Sequence, residues 1–113
     1  MSWSKDLVAA SATPLVLSVL AQGESYGYEI IKRVREASGA EIQWTDGMLY
    51  PVLHRLERQG LIESEWRSAE NRRRRKYYRM RKKGMTALQR QRAEWEMVDG
   101  VFSHLWRRKS CSI

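Results

Sequence analysis

The chain has 113 residues, with 21 Lys and Arg against 13 Asp and Glu, a formal charge of +8 and a pI near 10.1. That length fits one domain with a modest core, and the charge favours a polyanionic partner, nucleic acid before membrane. The longest apolar run, Leu15 to Ala21, is interrupted by Ser18 and is too short for a bilayer; no secretory signal is expected at the start, and the lone Cys111 excludes an internal disulfide and fits a reducing cytoplasm.

In chain order, Lys5 to Gln22 reads as a helix, with Leu7, Val8, Leu15, Val16, Val19 and Leu20 apolar and Gly23 as its stop. Pro14 either bends this helix or opens a second one behind a Thr13 cap; one bent helix is the expectation. Ser25 to Ser38 is a second helix, with Tyr26, Ile30, Val34 and Ala37 on one side and Gly39 at its end. Ala40 to Trp44 is a short connector.

Thr45 to Ile62 carries the third helix. The Thr45 hydroxyl can accept from an orphan N–H of the first turn, and Asp46 places negative charge at the positive end of the helix dipole. Leu49, Leu53 and Leu56 make one apolar stripe, and Gly60 ends the helix. Helix, helix, short link and helix is the order of a helix-turn-helix. Ile62 to Arg67 and Lys76 to Met80 then alternate as two strands around a turn at Ser68 to Asn71, which makes a hairpin or wing.

Gly84 separates this wing from a final helix, Met85 to Arg108. Leu88, Trp95, Val98, Phe102 and Leu105 follow a 3–4 alternation with Gln91 in the polar slot, the seam of a coiled coil that would join two copies. The expected fold is mainly α with a small β-hairpin: a winged helix-turn-helix over residues 1–83 and a dimerisation helix over 84–113, together one compact unit.

The charge is concentrated. Between Arg67 and Lys83 stand ten basic residues and one acid, Glu70. Four consecutive arginines repel each other, and a polyanion neutralises them with release of counterions. Arg72, Arg73, Arg74, Arg75 and Lys76 are therefore expected to contact DNA, with minor-groove insertion open to arginine. On the third helix, His54 and Arg55 lie on or near the exposed face, where arginine can read guanine. Tyr50 reaches a phosphate or packs on the second helix, and Arg58 meets a phosphate or a carboxylate. Pro51 is structural. His54 and His104 are the only histidines, no phosphate-cradling glycine loop is present and no metal-ligand spacing occurs, so no enzyme, cofactor or metal is expected. A bulky Trp95 on a two-fold seam meets its own copy and can leave a slot for a planar ligand, with Asp99 nearby to attract a cationic one. Trp3, Trp44 and Trp106 are assigned to packing or to the termini.

The strings YGYEI at Tyr26–Ile30, LYPVLHRLERQGLI at Leu49–Ile62 and RRKYYRM at Arg74–Met80, with a late Trp, resemble the PadR family of transcriptional regulators, in particular its compact, multidrug-binding branch. The resemblance implies a homodimer that represses transcription from an inverted repeat in double-stranded DNA, with first and last helices forming the interface. It further implies a pore there for planar aromatic ligands, flanked by Trp95, with Gln91, Val98 and Asp99 on the last helix and Leu7, Ala10 and Thr13 on the first. Met48 stands where the family has a DNA-contacting Thr, Asn71 and Arg72 where the wing tip commonly has glycine, Arg81 where a Thr often follows the wing, and Gln91 where the pore has a small residue. The competing expectation is a non-specific architectural DNA- or RNA-binding protein without an effector, which the same arginines would serve.

Overall fold

The computed structural model describes residues 4–68 and 70–111. Helix α1 spans Lys5–Ala21 as one helix with Pro14 inside it. The Ser4 hydroxyl accepts from the Leu7 N–H at 3.1 Å and caps its start. Ser18 donates its hydroxyl to the Pro14 carbonyl at 2.6 Å. Strand β1 is the pair Ser25–Tyr26, and α2 follows immediately as Gly27–Ala37. Helix α3 spans Asp46–Arg58, with Thr45 Oγ1 accepting from the Met48 N–H at 3.3 Å as expected. Gly60, at φ 76°, takes the left-handed turn that lets the Leu61 N–H reach back to the Leu56 carbonyl at 3.0 Å. Strands β2 (Ile62–Ser68) and β3 (Arg74–Met80) form the wing, and α4 runs from Lys82 to Cys111.

The expected second helix begins two residues late. Ser25 and Tyr26 pair antiparallel with Tyr78 and Tyr77, so the hairpin becomes a three-stranded sheet in the order β1-β3-β2. The wing strands are also longer than expected, in register from Ile62 opposite Met80 to Ser68 opposite Arg74. At the tip, Arg72 adopts φ 64° where glycine would be the easy residue. Asn71 Oδ1 accepts from the Arg73 N–H at 3.2 Å and stabilises that turn.

The core is built from one face of each helix: Val16, Leu17 and Leu20 of α1, Ile30 and Val34 of α2, and Leu49, Leu53 and Leu56 of α3. Ile62 and Tyr78 of the wing close it from below. Burying each such aliphatic side chain contributes about 1.5–3 kcal/mol. Trp44 is buried in the same core, consistent with its packing role; Trp3 lies outside the described residues.

The last helix departs from expectation at two points. Gly84 lies within α4 rather than before it, and it packs on the Leu61 carbonyl and Met80. Leu88, placed with the dimer seam, is buried by its own chain with Ala87. The 3–4 alternation serves two consecutive purposes: its first turns dock α4 on the domain, and only the later turns are free. Gly100 lies in those free turns, and a methyl group added there would meet nothing within 4 Å beyond the neighbouring backbone of its own helix. Gly100→Ala is therefore expected to raise unfolding stability by about 1 kcal/mol, the helix-propensity difference. A fall in the urea midpoint would show instead that this position is crowded.

Candidate nucleic-acid interface

Three elements converge on one groove of about 630 Å³. The start of α2 contributes Tyr26, Gly27 and Tyr28; α3 contributes Tyr50 and His54; the wing contributes Trp66, Asn71, Arg73, Arg74, Arg75, Lys76 and Tyr78. Tyr50 packs on the first turn of α2. A methyl group on Gly27 would meet the Tyr50 hydroxyl at 2.6 Å, so glycine there is needed for this approach. The first turn of α2 has no side-chain cap at Tyr26, which leaves backbone N–H groups and the positive end of a helix dipole beside the groove.

Tyr78 stands apart from the other tyrosines. It is 1 % exposed, and its hydroxyl has no hydrogen-bond partner among the described residues. Burial pushes its pKa up to about 12, helped by Tyr50 and Glu57 nearby. The Lys76 ammonium lies over two rings, 5.7 Å from the Tyr78 ring centre and 5.9 Å from that of Trp66. Glu57, which accepts from the Ser64 hydroxyl at 2.5 Å, is 4.0 Å from the same ammonium.

The wing cations fall into three groups. Arg74 lies over Trp66 at 5.5 Å and Arg75 over Tyr26 at 4.4 Å, each a cation–π pair that fixes the guanidinium along the strand. Arg67, across the ladder from Arg75, is held by Glu24 and Glu65, and Arg79, nearer the base, by Glu63 and Glu65. The Arg67 guanidinium keeps the Glu24 and Glu65 carboxyls below the usual carboxylate range, and they raise its own pKa in return. Arg72 and Arg73 at the tip have neither carboxylate nor ring partner among the described residues.

The structure divides the expected site residues. Tyr50, His54, Arg73, Arg74, Arg75 and Lys76 share the groove. Arg58 is beside it, in a shallow depression with Pro51, His54 and Glu57. Met48 and Arg55 are elsewhere. Met48 is half-buried against the core, and Arg55 donates to Thr13 Oγ1 on α1 at 2.6 Å. Their helical phase sets them on a different flank from Tyr50 and His54. Tyr26, Tyr28, Trp66 and Tyr78 line the groove without having been singled out. Tyr78 lies within the basic run and Trp66 at its edge, so for these two the sequence carries a signal; Tyr26 and Tyr28 lie far before it. Thr13 is half-buried under that Arg55 bond, while Leu7 and Ala10 are exposed on α1. Trp95, Val98, Phe102 and Leu105 lie bare along α4, with Asp99 also exposed and Gln91 half-buried, its Oε1 without a partner among the described residues. Among the described residues no group of His, Cys, Asp and Glu could hold a metal, and no helix is long and apolar enough to cross a membrane.

Residues 16–90 match the sequence model of the transcriptional regulator PadR-like family. The chain belongs to that family. Solved structures agree. A transcriptional regulator from Clostridium thermocellum is 32 % identical with a TM-score of 0.80, covering 88 % of this chain and 96 % of its own. A PadR family regulator from Eggerthella lenta is 36 % identical, TM-score 0.76, over 88 % of this chain and 86 % of its own. Another from Clostridium difficile is 31 % identical, TM-score 0.74, over 84 % and 97 %. Membership makes this PadR-like chain a DNA-binding regulator of transcription, with a winged helix-turn-helix and a long terminal helix as its sequence implied.

Proposed function

We propose that the chain is a homodimeric cytoplasmic repressor that binds an inverted-repeat operator and works by binding alone, without catalysis. The observation that carries this reading is the groove: a cationic, tyrosine-lined trough joining the start of α2, the outer face of α3 and the wing. A DNA phosphate entering it meets backbone N–H groups of α2, the Tyr50 hydroxyl and Lys76. As Lys76 swings from the rings to the phosphate, the Tyr78 hydroxyl, without a partner among the described residues, donates to a phosphate oxygen. His54 and Arg58 then face the bases or the adjoining backbone, and Arg72 and Arg73 reach beyond the wing along the duplex. Arg55 and Met48 support α3 rather than read sequence.

Two copies join through the free part of α4, where Trp95, Val98, Phe102 and Leu105 form the seam. Paired Trp95 rings there leave room for a planar aromatic ligand, with Asp99 favouring a cationic one; Gln91 and Val98, and Leu7 and Ala10 of α1, border the slot. A ligand that binds one arrangement of the two copies better than the other shifts the spacing of the two grooves and releases the operator.

A gel-shift titration against the chain's own promoter tests the operator. Binding is expected to persist at about 200 mM salt while random duplex of equal length is lost, because non-specific binding rests on counterion release alone. Equal retention of both duplexes would favour the architectural reading. For the ligand, planar cationic dyes should quench the tryptophan fluorescence of the native chain and leave Trp95→Ala largely unquenched. Undiminished quenching in that variant removes the slot.

A further inference from the structure

We infer that the groove between α2, α3 and the wing also takes an unpaired nucleic-acid strand, whose bases stack on Trp66 and Tyr28. This rests on the groove being a nucleic-acid interface and adds a second ligand to it, one recognised by the faces of its bases.

The wing has two unlike sides. Trp66 stands opposite Lys76 in the β2–β3 ladder, and antiparallel partners share a face. With a period of two, Arg74 and Tyr78 lie beside them on that face. It is the side turned to α3, where Glu57 accepts from Ser64 and reaches Lys76 at 4.0 Å. The opposite side carries Glu63 and Glu65, which hold Arg67 and Arg79 in ion pairs. Acid and base are matched there. On the groove side the ladder contributes cations and rings but no acid, and Arg74 has no carboxylate within 4.0 Å among the described residues.

Backbone phosphates of any nucleic acid account for the cations. They do not account for the rings. Trp66 is 56 % exposed and Tyr28 63 %, and neither packs on another aromatic ring among the described residues. Broad apolar faces held in water are unfavourable. In a duplex each base is covered by its neighbours in the stack, so a bound duplex offers phosphates and base edges but no base face. An unpaired strand offers the same phosphates and one free face per nucleotide, and aromatic side chains bind such faces whatever the base.

The cations are placed to serve both parts of such a strand. Arg74 lies 5.5 Å and Lys76 5.9 Å from the Trp66 ring centre, so a base stacked on that ring keeps its own phosphate within reach of a positive charge. The groove, about 630 Å³, is of the size of small-ligand sites. It admits part of a single strand, whereas a duplex lies across its mouth. The Tyr78 hydroxyl and Lys76 meet a phosphate in either case, so strand and duplex exclude each other.

The test is fluorescence anisotropy of the full chain with two end-labelled strands of equal length and charge, each about ten nucleotides, one of thymidine and one abasic. The thymidine strand is expected to bind at least about tenfold tighter, since one stacked base contributes roughly five- to a hundredfold. In Trp66→Ala and in Tyr28→Ala this preference should fall several-fold, and in Trp66→Phe, which keeps a ring, most of it should remain. Both rings are exposed, so neither substitution opens the core. A uridine ribonucleotide strand of the same length separates the two sources: binding tighter than thymidine marks an RNA ligand, weaker binding a DNA strand. Equal binding of thymidine and abasic strands by the native chain, or an unchanged preference in both alanine variants, overturns this inference while duplex binding stands. A native chain that binds neither strand nor duplex overturns the nucleic-acid groove as well.

Discussion

Gly84→Ala is expected to destabilise the protein by about 3 kcal/mol, although alanine is the best helix former and glycine among the poorest. The position is inside the first turn of α4, where propensity alone would favour the change by about 1 kcal/mol. Its added methyl group would overlap the Leu61 carbonyl oxygen and meet Met80 Sδ at 2.6 Å. The methionine can rotate away; the carbonyl cannot. It accepts the Arg81 N–H at 3.0 Å, at the junction of β3 and α4, and the neighbouring Leu61 side chain is buried. Relief requires lifting α4 from the domain, which uncovers Ala87 and Leu88. Urea unfolding of Gly84→Ala beside Gly100→Ala reads this directly, because the same substitution in the same helix should act with opposite sign. A midpoint for Gly84→Ala at or above that of the native chain would mean that α4 does not pack this closely.

Tyr78→Phe is expected to separate stability from binding. Among the described residues the buried hydroxyl has no hydrogen-bond partner, so its loss should leave stability unchanged or improve it by about 1 kcal/mol, the cost of an unsatisfied buried group. If that hydroxyl donates to a phosphate in the complex, the variant loses a hydrogen bond to a charged acceptor, worth about 1.5–3 kcal/mol, or roughly ten- to a hundredfold in affinity. The loss should be similar on operator and random duplex, because a backbone contact carries no sequence. The slope of affinity against salt should hardly move, since no cation has been removed. Fluorescence anisotropy across a salt series, with melting curves of the free protein, measures all three. A variant that binds as tightly as the native chain would leave Tyr78 a core residue and no more.

What could be read from the sequence was local. The Thr45 cap, the Leu49, Leu53 and Leu56 stripe and the alternation of the wing each depend on residues a few positions apart, and each stands as read. The differences between sequence and structure share one cause, contacts between distant segments. Ser25 and Tyr26 form a strand only because Tyr77 and Tyr78 lie beside them, and nothing within Tyr26–Ile30 announces that partner. Gly84 reads in sequence as the break between wing and last helix, yet its glycine is needed for close approach to Leu61. Leu88 fits the seam by period, but period cannot say which turns of a helix face their own domain. Arg55 and His54 are neighbours in sequence and both polar; only the position of α1, with Thr13 as acceptor, shows that one of them faces away from the groove. Tyr78 was noted only for its alternation with Tyr77, and its missing hydrogen-bond partner is a property of the assembled site.

The two-residue strand ahead of α2 has a mechanical consequence. A wing joined to its domain only through the ends of a hairpin could flap. Here the sheet is stitched on its far edge to the leader of α2, and Glu24, just before that leader, grips Arg67 on β2. Wing and helices thus form a stiff jaw with no hinge of its own. In the homodimer proposed above, two such jaws can change the gap between them, as in a caliper, but not the angle at which each grips. Moving the half-sites apart by a single base pair also turns one of them by about a tenth of a helical turn, so such an operator should be refused rather than accommodated.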